Sequence, residues 1–154
     1  MILVVSHLFP HNRINPAVYK LIIAGGRDFH DWRLFYSTLY QWLDDNDPNE
    51  TNTTIYTGLA DGADNMGMLF AQDRGIPYDE FPADWNYGKG AGDGYSKVAG
   101  KRRNQQMAST ATHLIAFWNG VSTGTKDMIS RATQHNLNII VQRYDQPKKV
   151  NTLW

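Results

Sequence analysis

Three short stretches of this chain combine glycines with charged or hydroxyl side chains, Gly25-Gly26-Arg27-Asp28, Thr57-Gly58-Leu59-Ala60-Asp61-Gly62-Ala63-Asp64 and Asn119-Gly120 through Thr125, and a fourth, Pro82-Ala83-Asp84-Trp85, sets a carboxylate beside an indole. Adjacent glycines bring bare backbone up to a ligand, and Arg27 supplies a planar fork suited to phosphate or carboxylate. A tight turn closed by an Arg27–Asp28 surface pair explains the same letters. Asp61 and Asp64, with Gly58 and Gly62, stand about one helical turn apart beside a helix start, where negative charge is favoured. Asp61 reads equally well as an N-cap. Asp64, on the early helix, is placed to accept hydrogen bonds from a ribose. Ser122-Thr123-Gly124-Thr125 opens a helix whose N–H groups and hydroxyls suit a phosphate, and a plain Ser/Thr cap explains it too.

Lys101-Arg102-Arg103-Asn104 is the one dense basic cluster. At a helix start such cations oppose the helix dipole, so the cluster reads either as a solvated face or as an anion-binding site. Trp85, in a polar loop, is a candidate for stacking on a base, with core packing as the alternative. Trp32, Phe35, Trp42 and Phe117 are explained by a core. His7, His11, His30, His113 and His135 show no metal-ligand spacing, so no metal site is expected, and no G-x-S-x-G elbow is present. None of the glycine stretches is a Walker A loop or a complete G-x-G-x-x-G.

Each of the four stretches follows a predicted strand. Leu21-Ile22-Ile23-Ala24 is an apolar run of the kind buried on both faces of a parallel sheet. Trp32, Phe35, Leu39, Trp42 and Leu43 fall on one helical face, which stops at Asp44-Asp45-Asn46-Asp47-Pro48. Thr53–Thr57 is the next strand, and Ala60, Ala63, Gly67, Phe70 and Ala71 give a small-residue helical face that allows close approach to the sheet. A strand over 76–81 carries Pro77, which marks an edge or a strand start. After the loop from Pro82 to about Gly100, helices are predicted over 101–110 and 125–135, and strands over 113–118 and 137–141. The alternation predicts an α/β, Rossmann-like, doubly wound and mainly parallel sheet with helices on both faces, whose loops meet at the carboxyl edge where ligands bind. Residues 1–19 read as an arm or extra edge strand, 20–143 as one ligand-binding α/β domain, and 144–154 as a tail.

A chain of 154 residues with 42% hydrophobic residues suits one compact core. Lys+Arg and Asp+Glu are 15 each, so no global field draws nucleic acid or an anionic membrane, and any anion must be held locally. The absence of cysteine excludes disulfides, thiolate zinc sites and a cysteine nucleophile. Met1–Val5 is too short for a signal-peptide core and no apolar run is long enough to span a bilayer, so a cytoplasmic, soluble protein without membrane contact is expected.

Taken in order, Gly25-Gly26-Arg27-Asp28-Phe29, Gly58 through Asp64, Phe81-Pro82-Ala83-Asp84-Trp85, Ala99-Gly100 with Arg103-Asn104 and Met107, and Ala116-Phe117-Trp118 with Gly124-Thr125 resemble the YspA-type branch of the SLOG superfamily. The resemblance spans about residues 20–142. It implies a Rossmann-like fold and a pocket for nucleotides or nucleotide-derived signals, in a superfamily that also holds Lonely Guy phosphoribohydrolases, antiphage sensor domains and the DNA-processing protein A fold. By the same resemblance Gly25, Gly26, Arg27 and Asp28 line one side of the pocket and Gly58, Gly62 and Asp64 the next; Arg103 and Asn104 approach from a helix, and Gly124 and Thr125 hold phosphate. Two departures bear on chemistry. The loop before Thr125 lacks the Pro-Gly-Gly start of the phosphoribohydrolases, with Met128 where their glutamate stands, and Thr123 replaces the arginine usual before Gly-Thr. The loop from Asn86 to Val98, with Gly88, Gly90, Gly92 and Gly94, looks expanded.

Three functions follow as expectations. The first is a sensor or sequestering protein that binds a nucleotide through Arg27, Arg103 and the Gly124-Thr125 helix start, with no cofactor. The second is a nucleotide N-glycosidase or phosphoribohydrolase in which Asp64, Asp84 or Asp28 stabilises positive charge or activates water. The third is a single-stranded nucleic-acid module using Lys101-Arg102-Arg103, Trp85 and Tyr95, against which the zero net charge argues. Self-association as a homo-oligomer is expected from the flat helical faces of such domains.

Overall fold

The runs over 21–24, 53–57 and 113–118 become the central parallel strands because both of their faces are covered, while the strands flanking them are largely exposed. The computed structural model describes residues 17–87 and 97–144. In chain order it contains β1 (Tyr19–Gly25), α1 (Trp32–Asn46), β2 (Thr53–Thr57), α2 (Ala63–Arg74), β3 (Tyr78–Glu80), α3 (Lys97–Thr110), β4 (His113–Trp118), α4 (Thr123–Gln134) and β5 (Asn138–Arg143). The five strands form one sheet in the order β3-β2-β1-β4-β5, and every pairing is parallel. This is the doubly wound α/β arrangement expected. The glycines of 88–94 and Tyr95 lie outside the described residues, as do most of the arm and the tail beyond Tyr144.

Alternate residues of the central strands feed two separate cores. Leu21, Ile23, Ile55, Ile115 and Phe117 face α1 and α2, where Phe35, Leu39, Trp42, Leu43 and Phe70 meet them. Ile22, Ala24, Tyr56, Leu114 and Ala116 face the other way, against Met107 and Ala108 of α3 and Met128 and Ala132 of α4. Phe29 and Phe35 both stack on Phe117, with ring centroids 4.5 and 5.3 Å away. The small-residue face of α2 does what its composition implies: a Cβ at Gly67 would stand 2.9 Å from the Ile23 Cβ, so only glycine lets the helix sit so near β1.

The last strand, expected over 137–141, runs Asn138–Arg143, and three other boundaries differ from the sequence expectation for local reasons. The strand expected over 76–81 shrinks to Tyr78–Glu80 at the sheet edge, because Ile76 N–H bonds the Ala71 carbonyl at the end of α2 and Pro77 has no N–H to donate, although its carbonyl accepts from Ile55 N–H. Helix α4 begins at Thr123 rather than Thr125, since Ser122 caps it. Helix α3 begins at Lys97, so the basic cluster lies a turn inside the helix and not at its start.

The acidic end of α1 is a structural device. Asp47 closes the helix with its N–H on the Leu43 carbonyl, and its buried carboxylate accepts from Thr51 N–H, Asn52 N–H and the Thr53 hydroxyl, at 3.2, 3.0 and 2.6 Å. Burial opposes ionisation of Asp47, but the Thr53 hydroxyl and the two backbone N–H groups outweigh it and hold the carboxyl below its ordinary value. Asp47→Ala is expected to cost about 2 kcal/mol in urea unfolding at pH 7, the order of magnitude for losing hydrogen bonds to a charged acceptor. Because the folded carboxyl ionises more readily than the unfolded one, that contribution is complete at neutral pH and disappears as pH falls through the folded pKa. Wild type and variant should converge in stability near the acid end of a pH series.

Candidate functional site

The sheet order reverses between β1 and β4. The chain leaves β1 for β2 on one side and returns from β3 through α3 to β4 on the other, which leaves a crevice beyond the carboxyl ends of the two strands. A cleft of about 740 Å³ occupies this crevice. That is within the range of small-molecule sites. Its wall on the β1 side is Gly25, Gly26, Arg27 and Asp28; Asp64 comes from α2, Trp85 from the loop after β3, Arg103 and Asn104 from α3, and Thr123, Gly124 and Thr125 from the start of α4. Eleven of the residues singled out in the sequence therefore converge here. Gly58, Gly62 and Asp84 do not line it.

Gly58 and Gly62 act from behind the wall. Arg103 Nη1 donates to the Gly58 carbonyl, and a Cβ at Gly58 would run into both the Arg103 guanidinium and the Asp64 carboxylate. Gly62 adopts φ +79° and packs on the Gly26 carbonyl and the Arg27 backbone, where no side chain fits. It is Gly62, not Asp61, that occupies the N-cap of α2, and Asp61 is exposed, so the capping role open to Asp61 is not realised. The turn is tied instead by Thr57, a buried residue the sequence reading passed over: its hydroxyl accepts from Leu59 N–H at 3.1 Å and donates to the Asp64 carbonyl at 3.0 Å. Asp84 accepts from Asn86 N–H at 3.1 Å, a local turn bond that keeps it in the exposed loop.

At the base of the cleft two charged groups are almost fully buried, Asp64 with 5% and Arg103 with 9% of its surface exposed. Burial pushes the Asp64 carboxyl up to about 6, against the opposing pull of the Arg103 charge, the Ala60 and Gly58 N–H groups and Arg27. Burial likewise lowers the Arg103 pKa, which Asp64 pulls back up and Arg27 lowers again. A guanidinium stays charged through such shifts. Arg103 Nε donates to Asn104 Oδ1 at 3.0 Å, and Asn104 Nδ2 donates to Asp127 Oδ2 at 2.9 Å. Asp127 also receives Arg131 Nε at 2.9 Å. Asp127 lines the cleft and was missed in the sequence; its one signal was Arg131 four residues on, a spacing that suits an ion pair on any helix.

The basic cluster divides. Arg103 turns inward, Lys101 is exposed at the cleft wall, and Arg102 lies over the Tyr87 ring, its Cζ 4.0 Å from the centroid. On the opposite wall Ser122 caps α4, its Oγ accepting from Thr125 N–H at 3.4 Å. Asn119 Oδ1 in turn accepts from Val121 and Ser122 N–H. The N–H groups of Thr123 and Gly124, in the first turn, have no acceptor within their helix. Met128, buried and apolar, closes the floor.

Tyr144, the first residue of the expected tail, belongs to the site. Its hydroxyl donates to Asp28 Oδ1 at 2.6 Å, its ring packs on Phe29 and its N–H bonds the Trp118 carbonyl. Burial, then the hydrogen bond and charge of Asp28, raise the phenol above its ordinary pKa. No group of His, Asp or Glu suited to a metal occurs among the described residues, and no helix among them is long and apolar enough to cross a membrane.

Comparison with known proteins bears on the fold. No curated protein matches the chain. Among solved structures, the X-ray structure of DNA processing protein A (DprA) from Streptococcus pneumoniae is similar, with a TM-score of 0.60 and 18% identity over 88% of this chain and 52% of that one. The chain thus spans about half the length of that structure, and the likeness is one of fold. The model of the YspA, cpYpsA-related SLOG family matches residues 19–88, from β1 through β2 and β3 to the loop bearing Trp85. The glycine turns at 25–26 and 58–62, Arg27, Asp64 and Trp85 all lie inside that match, so this part of the chain is similar to the YspA, cpYpsA-related SLOG family.

Proposed function

We propose that this chain binds a nucleotide or nucleotide-derived ligand in the cleft at the carboxyl edge of the sheet, as a sensor or sequestering protein. Arg103 carries the assignment. A guanidinium this buried is costly unless its donors are used, and here Nε and Nη1 hold Asn104 and Gly58 while the side chain borders the cleft. The Thr123 and Gly124 N–H groups, at the positive end of α4, suit the same phosphate. Arg27 and Lys101 add exposed cations at the mouth, and Trp85 offers a face for the base.

Two observations favour a small ligand over a nucleic-acid strand. The cleft mixes Arg27, Lys101 and Arg103 with Asp28, Asp64 and Asp127 rather than forming a basic track, and Arg102 is engaged with Tyr87. Asp64 is the one feature that favours hydrolysis, since a carboxyl titrating near 6 in a buried cleft suits acid–base work. Against it, Met128 puts an apolar group where a second acid would be useful, and Asp84 lies outside the cleft.

Calorimetric titration with a panel of mono-, di- and triphosphate nucleosides, paired with chromatography of each mixture after incubation, tests this. One class is expected to bind and be recovered unchanged. Free base and sugar phosphate in the mixture, lost in Asp64→Asn, would replace binding with hydrolysis. Self-association is expected through the outer edge of β5, where Ile140 and Val141 are exposed. Sedimentation equilibrium giving only the monomer mass contradicts it.

A further inference from the structure

Asp28 stands at the mouth of the cleft, and the last described residue reaches back to hold it. The Tyr144 hydroxyl bonds one carboxylate oxygen, Oδ1, at 2.6 Å. Tyr144 is itself fixed twice, by its ring on Phe29, 4.8 Å between centroids, and by its N–H on the Trp118 carbonyl at 3.1 Å. Phe29 is fully buried against Phe117, so the phenol is anchored to the core of the sheet and not to a free loop. The phenol also fills the space beside Gly26: any side chain there would collide with the Tyr144 hydroxyl and stand 2.7 Å from Asp28 Oδ1. Gly26, Asp28 and Tyr144 thus fit one another as a unit, although Tyr144 lies 116 residues further along the chain.

A carboxylate held this way has a definite use. Asp28 is exposed and lines the same cleft as Arg103 and the start of α4, where a lone carboxylate would repel phosphate. Hydrogen bonded through Oδ1, it keeps Oδ2 as an acceptor of fixed direction, suited to hydroxyl groups and not to anions. We propose that Asp28, positioned by Tyr144, reads the ribose hydroxyls of the bound nucleotide and so makes the site selective for ribonucleotides over 2′-deoxyribonucleotides. This rests on the nucleotide reading of the cleft and adds the sugar specificity to it. Tyr144 is a positioning residue: its hydroxyl acts through Asp28 and not on the ligand.

The test is the ratio of affinities for AMP, GMP, CMP and UMP to those for their 2′-deoxy counterparts, in wild type, Tyr144→Phe and Asp28→Asn. Inorganic phosphate is titrated in parallel. Tyr144→Phe keeps the ring on Phe29 and removes only the hydroxyl. Wild type is expected to favour the best ribonucleotide by about tenfold, the value of one hydrogen bond to a charged group, and both variants should bring the ratio close to one. Affinity for inorganic phosphate should not fall in either variant, and in Asp28→Asn, which removes a negative charge from the cleft, it should rise if it changes. A merely structural role for Tyr144 would lower the melting temperature and both affinities together, leaving the ratio intact, and that result overturns the assignment. So does a wild type that binds ribo- and deoxynucleotides equally. A wild type that binds no nucleotide while folding normally overturns the nucleotide reading and this assignment with it, whereas the preceding outcomes leave the nucleotide reading standing.

Discussion

Replacing Arg103 with methionine is expected to weaken nucleotide binding by about a hundredfold, the usual consequence of removing one member of a desolvated charge pair. The same change leaves Asp64 buried without its nearest cation and the Gly58 carbonyl without its donor, so unfolding stability at pH 7 should fall by about 3 kcal/mol. The two losses have different remedies. Arg103→Met combined with Asp64→Asn removes both charges and should recover the part of the loss owed to the unpaired Asp64, though not the part owed to the Gly58 carbonyl, while binding stays lost. If the double variant regains binding along with stability, Arg103 serves the fold alone. Asp64 also gives the protein a distinctive pH profile. The folded state holds its proton up to about pH 6, whereas an ordinary aspartate releases it near 3.8, so Asp64 lowers stability as pH rises through that interval. Asp64→Asn should abolish this decline in urea unfolding measured from pH 4 to 7.

Gly62→Ala should be strongly destabilising for so small a substitution. The residue takes φ +79°, and a methyl group would be driven into the Gly26 carbonyl and the Arg27 backbone. Backbone strain and overpacking together are expected to cost roughly 3 kcal/mol, which for a domain of this size lowers the melting temperature by about 10 °C. Because the displaced backbone is the cleft wall carrying Arg27 and Asp28, ligand affinity should fall too. Gly124→Ala is the control: nothing stands within 4 Å of its Cβ, so melting should shift little. A Gly62→Ala protein that melts with wild type would show that the β1 and β2 turns are not packed against each other.

How far the sequence could be read depends on where burial left an apolar record. Strands β1, β2 and β4 were legible because both their faces are covered, and α1 because Phe35, Leu39, Trp42 and Leu43 form one stripe. Helix α3 was legible only from Lys101 onward. Its buried face is Ala99, Arg103, Asn104, Met107 and Ala108, and a face that includes a guanidinium and an amide leaves little periodic signal to mark its first turn. Much of the site was visible for a topological reason: loops after successive parallel strands must meet at one edge, so Arg27, Asp64, Trp85 and Thr125 were brought together by strand order alone. What was hidden depends on contacts no local pattern encodes. Tyr144 reaches Asp28 across almost the whole domain, Asp127 enters through Asn104, and Asp84, which looked equivalent to Asp64, is held in its own turn by Asn86 N–H.

The most direct test of the central claim is a nitrogen-15 NMR titration of the protein with the tightest nucleotide of the panel, following backbone amides and arginine side chains. Ligand in the cleft predicts the largest shifts at the Thr123 and Gly124 amides, the Arg103 Nε–H, the Gly26 amide and the Trp85 indole, with the outer faces of α1 and α2 unmoved. Shifts confined to surfaces away from these groups, or none at saturating nucleotide, would contradict a nucleotide site at the carboxyl edge of the sheet.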